Sequence, residues 1–165
     1  MNFTAILIAT FIPLVIGFFW YSPKMGFGKA WMAASGMTEE KAKGANMALT
    51  FGLVIVFSFF VALILQLLVI HQAHVYSLLM SQPDFSDPNS EASMMLAKFK
   101  TLFDTSYRTF KHGAFHGTIA GIMLALPITA VNAMFERKSF KYIAINAGYW
   151  IVCMALMGGV LCAMM

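Results

Sequence analysis

Charge is what this sequence has least of. Lys, Arg, Asp and Glu together make up 11% of its 165 residues. Four stretches, Met1–Pro23, Gly44–Pro83, His112–Phe135 and Tyr142–Met165, contain none of them. A soluble bundle of this size would need charged helix faces, because a small domain has too little interior to hide so much apolar surface. With 60% hydrophobic residues and a mean hydropathy of +0.76, the chain reads instead as one whose solvent is lipid. Each uncharged stretch supplies the roughly 20 apolar residues that cross a bilayer as a helix, the form that satisfies its own backbone. Without an intramembrane charged residue, a proton- or sodium-driven pump built on buried carboxylates is disfavoured. A passive pore in an oligomer stays open.

Cysteine is nearly absent as well. Cys153 and Cys162 lie on roughly opposite faces of one helix at about 100° per residue, so they cannot bridge each other. Neither has metal-site spacing, and both read as small packing residues. No catalytic or cofactor motif stands out, so the expectation is a protein that is not an enzyme and carries no cofactor. The net charge of +4 is not gathered into one patch; the basic residues flank the spans, so the expected partner is the bilayer and not a nucleic acid. The 14 methionines form no repeated Met-x-x-Met array that would suggest copper. No Lys or Arg precedes the first span and no small-residue cleavage site follows it closely, so it reads as a retained anchor.

What is present predicts an all-α, polytopic, four-transmembrane-helix bundle forming a single domain over 1–165. The spans fall at about 2–21, 46–70, 113–135 and 142–163, with an extension of the second to Met80 as the longer alternative. Loop one, Lys24–Lys43, carries Phe27, Trp31 and Met32, apolar enough to lie on the membrane surface. Within it Thr38 reads as an N-cap followed by Glu39 and Glu40, starting a helix that runs directly into span two. Ser81–Ser93 is the clearest loop. After it an amphipathic helix is predicted over about 92–111, with Met95, Leu96, Phe99, Leu102, Phe103, Tyr107 and Phe110 on one face. Loop one has four basic residues and loop three has three. Loop two has four, offset by Asp84, Asp87, Glu91 and Asp104. The positive-inside rule then places loops one and three in the cytoplasm and both termini outside. Ile12-Pro13 and Leu126-Pro127 occupy similar places in spans one and three, an echo compatible with a parallel repeat or with coincidence.

Three groups of residues are candidates for more than anchoring. Gly113, Gly117, Gly121, Ala125, Thr129 and Ala133 recur at every fourth position of span three, with shorter runs elsewhere, including Gly44, Ala48, Gly52 and Ala155, Gly159, Ala163. Small residues at this spacing let helices approach closely, either inside one bundle or across a homo-oligomer interface. His71, His74, His112 and His116 sit three and four apart at the outer ends of spans two and three. Imidazoles so placed can hold zinc, copper or haem, or relay protons, although no carboxylate falls at a ligand position beside them. Polar residues within spans, Ser58, Gln66, Thr118, Thr129, Asn132 and Asn146, are costly there and usually face protein.

The segments Trp20-Tyr21-Ser22-Pro23 and Phe27-Gly28-Lys29-Ala30-Trp31 resemble the signature after the first span of the bacterial membrane family designated domain of unknown function 1761. His116-Gly117, Phe135-Glu136-Arg137 and Asn146-Ala147-Gly148-Tyr149 resemble it too, and the likeness covers nearly the whole chain except loop two. Gly26 is an extra residue relative to that pattern. The resemblance implies a four-span protein of the bacterial inner membrane and supplies no activity. It directs attention to Trp20, Tyr21, Ser22, Pro23, Lys29, Trp31, His116, Glu136 and Asn146, with Glu136 placed to pair with Lys29 or a neighbouring base. Together with Asn132, which flanks the short third loop opposite Asn146, the residues toward the cytoplasmic side make a candidate polar cluster of Trp20, Tyr21, Ser22, Lys29, Trp31, Asn132, Glu136 and Asn146. The leading expectation is a non-enzymatic oligomeric or accessory-subunit protein. A small channel or transporter lined by Asn132, Asn146, Thr129 and the Trp-Tyr-Ser-Pro turn is the alternative, and a histidine-based metal or redox protein a weaker one. A site is expected where spans one, three and four meet the cytoplasmic face.

Overall fold

The structure, a computed structural model, describes residues 2–165, apart from the side chain of Glu39. Helices account for its regular structure, and four are long and apolar enough to cross a membrane: Phe3–Trp20, Met47–Val69, Phe110–Phe135 and Phe140–Met164. The chain is a multi-pass membrane protein. Its outer surface carries the expected signature, with Phe3, Leu7, Phe18, Phe57, Ile64, Met123 and Ile128 exposed where lipid would meet them.

Side-chain caps set the starts of the helices. Asn2 accepts from the Thr4 and Ala5 amides to open α1 (Phe3–Trp20). Its amide also donates to Met164 O at 2.6 Å, joining the two ends of the chain. Loop one holds two short helices, α2 (Gly28–Ser35) and α3 (Glu39–Lys43). Thr38 caps α3 as predicted, its hydroxyl accepting from Lys41 N at 3.2 Å. That helix does not run into span two, however. It ends at Gly44, and Asn46 opens α4 (Met47–Val69) with a cap of its own to Leu49 N.

Span two likewise stops short of Met80. Ile70 turns to an extended conformation (φ −110°, ψ 95°), and α5 (Gln72–Met80) sets off anew. The amphipathic segment is real but shorter than the 92–111 predicted: α6 (Glu91–Phe103) gives way to a turn containing Tyr107 at φ 62°. The hydrophobic period continues past Phe103, yet Thr109 adopts φ −130° and caps the next helix through His112 N, so Phe110 belongs to span three. Gln72 Nε2 donates to Phe103 O and Ser106 O at 2.9 and 2.8 Å, tying this turn to α5.

Span three consists of α7 (Phe110–Ala120), a single wide π-helical turn at Gly121–Ala125, and α8 (Leu126–Phe135). Leu126 N bonds to Gly121 O, five residues back, just before Pro127, which has no amide proton to offer. Pro13 differs: it lies buried within an unbroken α1, and its carbonyl accepts from the Tyr149 hydroxyl at 2.7 Å.

The hub of the bundle is α9 (Phe140–Met164), half of whose spanning window is buried against 17% for span three. It packs on α1, α4, α7, α8 and α2. The glycine stripe explains the closest of these contacts. A Cβ on Gly113 would lie 2.1 Å from Gly158 O, one on Gly117 2.1 Å from Met154 O, and one on Gly121 2.7 Å from Ile151 Cα. Backbones this close exclude any side chain, so these three glycines are committed to packing within the chain. Ala125 is half-buried on the π turn, packed against the core, and Gly159 faces the Phe110 ring. Cys153 and Cys162 are free and buried.

Candidate functional site

The buried residues of α1 all fall at or before Pro13, whereas those of α4 all fall at or after Ser58. The two helices run in opposite directions, so they grip each other at the end that holds the termini and leave a wedge toward the end that holds loops one and three. That wedge is a cavity of about 780 Å³. Pro13, Leu14, Gly17 and Phe18 of α1 form one wall, Met47 to Ser58 of α4 the opposite wall, and Asn146, Tyr149 and Trp150 of α9 the back. Tyr21 and Trp31 sit at its loop end. Among the described residues, no Lys, Arg, Asp, Glu or His lines it. Ser58 is at the narrow end, its hydroxyl fully covered and without a hydrogen-bond partner.

The rim is built by segments that the sequence keeps far apart. Tyr21 donates to Asn146 Oδ1 at 3.0 Å, and Asn146 Nδ2 donates in turn to Tyr142 O at 2.8 Å. Trp20 Nε1 donates to Ile145 O at 3.1 Å, which pins the end of α1 onto α9. Aromatic faces fill the space between: Tyr21 lies 5.3 Å from Trp31 and 5.2 Å from Tyr149, and Trp20 lies 4.8 Å from Phe27. These separations suit tilted and edge-on ring pairs. Burial, with Cys153 and Tyr142 adding to it, pushes the Tyr21 phenol well above the usual tyrosine range, so it stays neutral.

Loop one is folded tightly enough to hold this rim. Gly26 N and Gly28 N both bond to Ser22 O, and Phe27 N bonds to Trp20 O at 2.7 Å. A Cβ at Gly26 would come within 2.2 Å of Phe19 O, and one at Gly28 within 2.3 Å of Tyr21 O. The extra residue therefore has a structural role, since only glycine lets the chain cross the carbonyls at the end of α1. Ser22 accepts from the Lys24 and Met25 amides and stabilises the turn.

Of the eight residues expected in one polar cluster, the structure joins Trp20, Tyr21, Trp31 and Asn146 and uses Ser22 to hold the loop. It leaves three outside. Lys29, Asn132 and Glu136 are exposed, none lines the cavity, and Lys29 and Glu136, both among the described residues, do not pair with each other. The basic residue that does bridge the loops is Lys138, which donates to Ser35 O at 3.0 Å and covers the Tyr142 ring. The cavity lies between spans one, two and four, whereas the expectation looked to where spans one, three and four meet. Sequence reasoning missed Trp150 and the α4 wall, because an all-apolar helix does not show which face looks inward. A shallower groove of about 520 Å³ between α1, α7 and α9 has only apolar lining residues.

At the opposite end of the bundle, His71, His112 and His116 converge, while His74 stays exposed outside the trio.

Fold and site together define a four-span α-helical membrane protein with a lateral, aromatic-rimmed cavity. The chain belongs to the family described as Protein of unknown function (DUF1761), whose model matches residues 4–162. No curated protein and no solved structure matches it.

Proposed function

We propose that the protein binds a neutral, chain-bearing lipid molecule in the cavity between α1, α4 and α9. The observation that carries this reading is the pairing of an uncharged, almost wholly apolar cavity with one cluster of polar atoms at its loop end. The size lies within the roughly 300–1,000 Å³ range of small-molecule sites. At the loop end, the polar atoms still free to bond include a lone pair on the Tyr21 oxygen and the second amide N–H of Asn146, while the unpartnered Ser58 hydroxyl lies at the narrow end. They suit a hydroxyl or carbonyl head, whereas a charged head would meet no counter-charge among the lining residues. The acyl or prenyl chain would run up the wedge toward Ser58, about 16 Å from Met47 at the helical rise.

The reading is non-enzymatic, since the described lining residues include no carboxylate, histidine or activated nucleophile. It favours a carrier or accessory role over a channel, because Asn132 and Asn146 do not share a path within one chain. Any second copy or partner subunit would use the exposed apolar faces of α4 and α8, as α9 covers the stripe glycines. The family resemblance and the seven basic residues in loops one and three support a bacterial inner membrane, with the cavity mouth cytoplasmic and both termini outside.

Trp31 and Trp150 line the cavity and report on its contents. Titration of the purified protein with a brominated diacylglycerol should quench their emission saturably in the wild type and not in Thr50→Phe, which fills the rim. Non-saturating quenching that is the same in both proteins would refute the proposal.

A further inference from the structure

We infer that His71, His112 and His116 form a binding site for a zinc-like divalent cation at the end of the bundle opposite the cavity. One ring nitrogen from each lies within 4.8 Å of the others, and His112 Nε2 is 3.1 Å from His71 Nε2. The ring centroids are 4.5 to 5.1 Å apart. Zinc–nitrogen bonds of about 2.0–2.1 Å in a tetrahedron put ligand nitrogens about 3.3 Å apart, so one edge is already formed and the third ring needs only a modest rotation.

The backbone around the trio favours this convergence. His112 and His116 are one turn apart on the first turns of α7, so they share a face. His71 comes from the turn between α4 and α5, at the break that Ile70 makes after α4. Tyr107, at its left-handed turn, stacks on His112 at 5.2 Å, and Phe115 packs against His116, so two of the three rings are held in place. His71 is exposed and the other two are half-buried, which leaves a fourth coordination position facing outward for water or a donor ligand. Three neutral imidazoles with an open position suit Zn²⁺, and Cu²⁺ would compete by intrinsic affinity.

A hydrogen bond between two neutral imidazoles explains the 3.1 Å contact alone. It leaves the third ring without a role, and a cation engages all three. The site would clamp the α4–α5 junction to the start of span three and is independent of the cavity.

The test uses full-length protein purified with a histidine-free tag, stripped with chelator, incubated with ZnCl₂, desalted and analysed for metal. The expected result is about one zinc per chain, a three-ligand site with an open position. His71→Ala and His116→Ala should each lower retention at least tenfold, roughly the loss that even an outer-shell partner can cause. His74→Ala should retain zinc like the wild type. Zinc should also raise the melting temperature of the wild type and not that of His71→Ala, whose exposed position keeps the fold intact. Wild-type protein that retains no zinc, or variants that retain as much as it does, would overturn the inference.

Discussion

The Tyr21 hydroxyl donates to Asn146 Oδ1 at 3.0 Å across 125 residues of sequence, joining the end of span one to span four. Tyr21→Phe removes the donor and leaves a part-buried amide oxygen unpaired, at a cost of about 1–2 kcal/mol. Tyr21→Ala should cost more, because it also removes the ring contacts with Trp31 and Tyr149. Thermal unfolding in detergent checks both. The raised phenol pKa adds a pH signature. Its stabilising contribution is complete below the unfolded tyrosine value of about 10 and is lost as pH rises above it, so Tyr21→Phe should flatten that alkaline loss.

Gly117 and Gly52 are both helical glycines in membrane spans, and their surroundings predict opposite outcomes. A Cβ at Gly117 would sit 2.1 Å from Met154 O, so Gly117→Ala forces α7 and α9 apart and should cost several kcal/mol or abolish folding. A Cβ at Gly52 meets nothing within 4 Å, so Gly52→Ala should be neutral or stabilise by up to about 1 kcal/mol. Comparing the two melting temperatures decides it.

Gly26→Ala should unseat the loop that holds the rim, since its Cβ would collide with Phe19 O and Trp20 O. Gly36→Ala meets no atom, and its φ of 76° should cost about 1–2 kcal/mol. Limited proteolysis should therefore show new cleavage in loop one for Gly26→Ala and none for Gly36→Ala.

Asn146 belongs to the rim and Asn132 does not. Asn146→Leu should reduce binding of the brominated diacylglycerol at least several-fold, whereas Asn132→Leu should leave it unchanged. Equal losses from both substitutions would favour a shared polar path instead.

The four spans were legible because crossing lipid demands long uncharged runs, and such runs are visible without any structure. Their ends were legible to within a few residues because the uncharged runs stop there, and the structure shows Asn2, Asn46 and Ser139 capping three of the helices. The breaks were less visible. Ile70 and the turn at Tyr107 lie inside patterns that continue on either side, and the tertiary bonds from Gln72 decide where the chain turns. The π turn answers to Pro127, but proline alone does not predict it, as the unbroken α1 around Pro13 shows.

The site was half legible for a related reason. Aromatic and polar residues beside loop one could be named, and Trp20, Tyr21, Trp31 and Asn146 do meet. Asn132 was grouped with them because the loop joining its helix to that of Asn146 is short, and Glu136 because it lies in a segment that resembles the family. In water a polar face marks the outside of a helix; in lipid every face is apolar, so hydropathy gives no rotation. The importance of span four was hidden for the same reason. Its role depends on how Gly158 and Gly159 match Gly113 and Phe110 across the interface, which is a property of two helices together.

The lipid that accompanies the protein on isolation reports whether the cavity is a lipid site. The protein is purified in mild detergent, its bound lipids are extracted, and neutral species are quantified per chain by mass spectrometry. Wild type should carry about one neutral chain-bearing molecule per chain, as a single site of this volume implies, and Thr50→Phe should lose it while keeping its fold. Wild type carrying no neutral lipid, or Thr50→Phe retaining the same amount, would contradict the account.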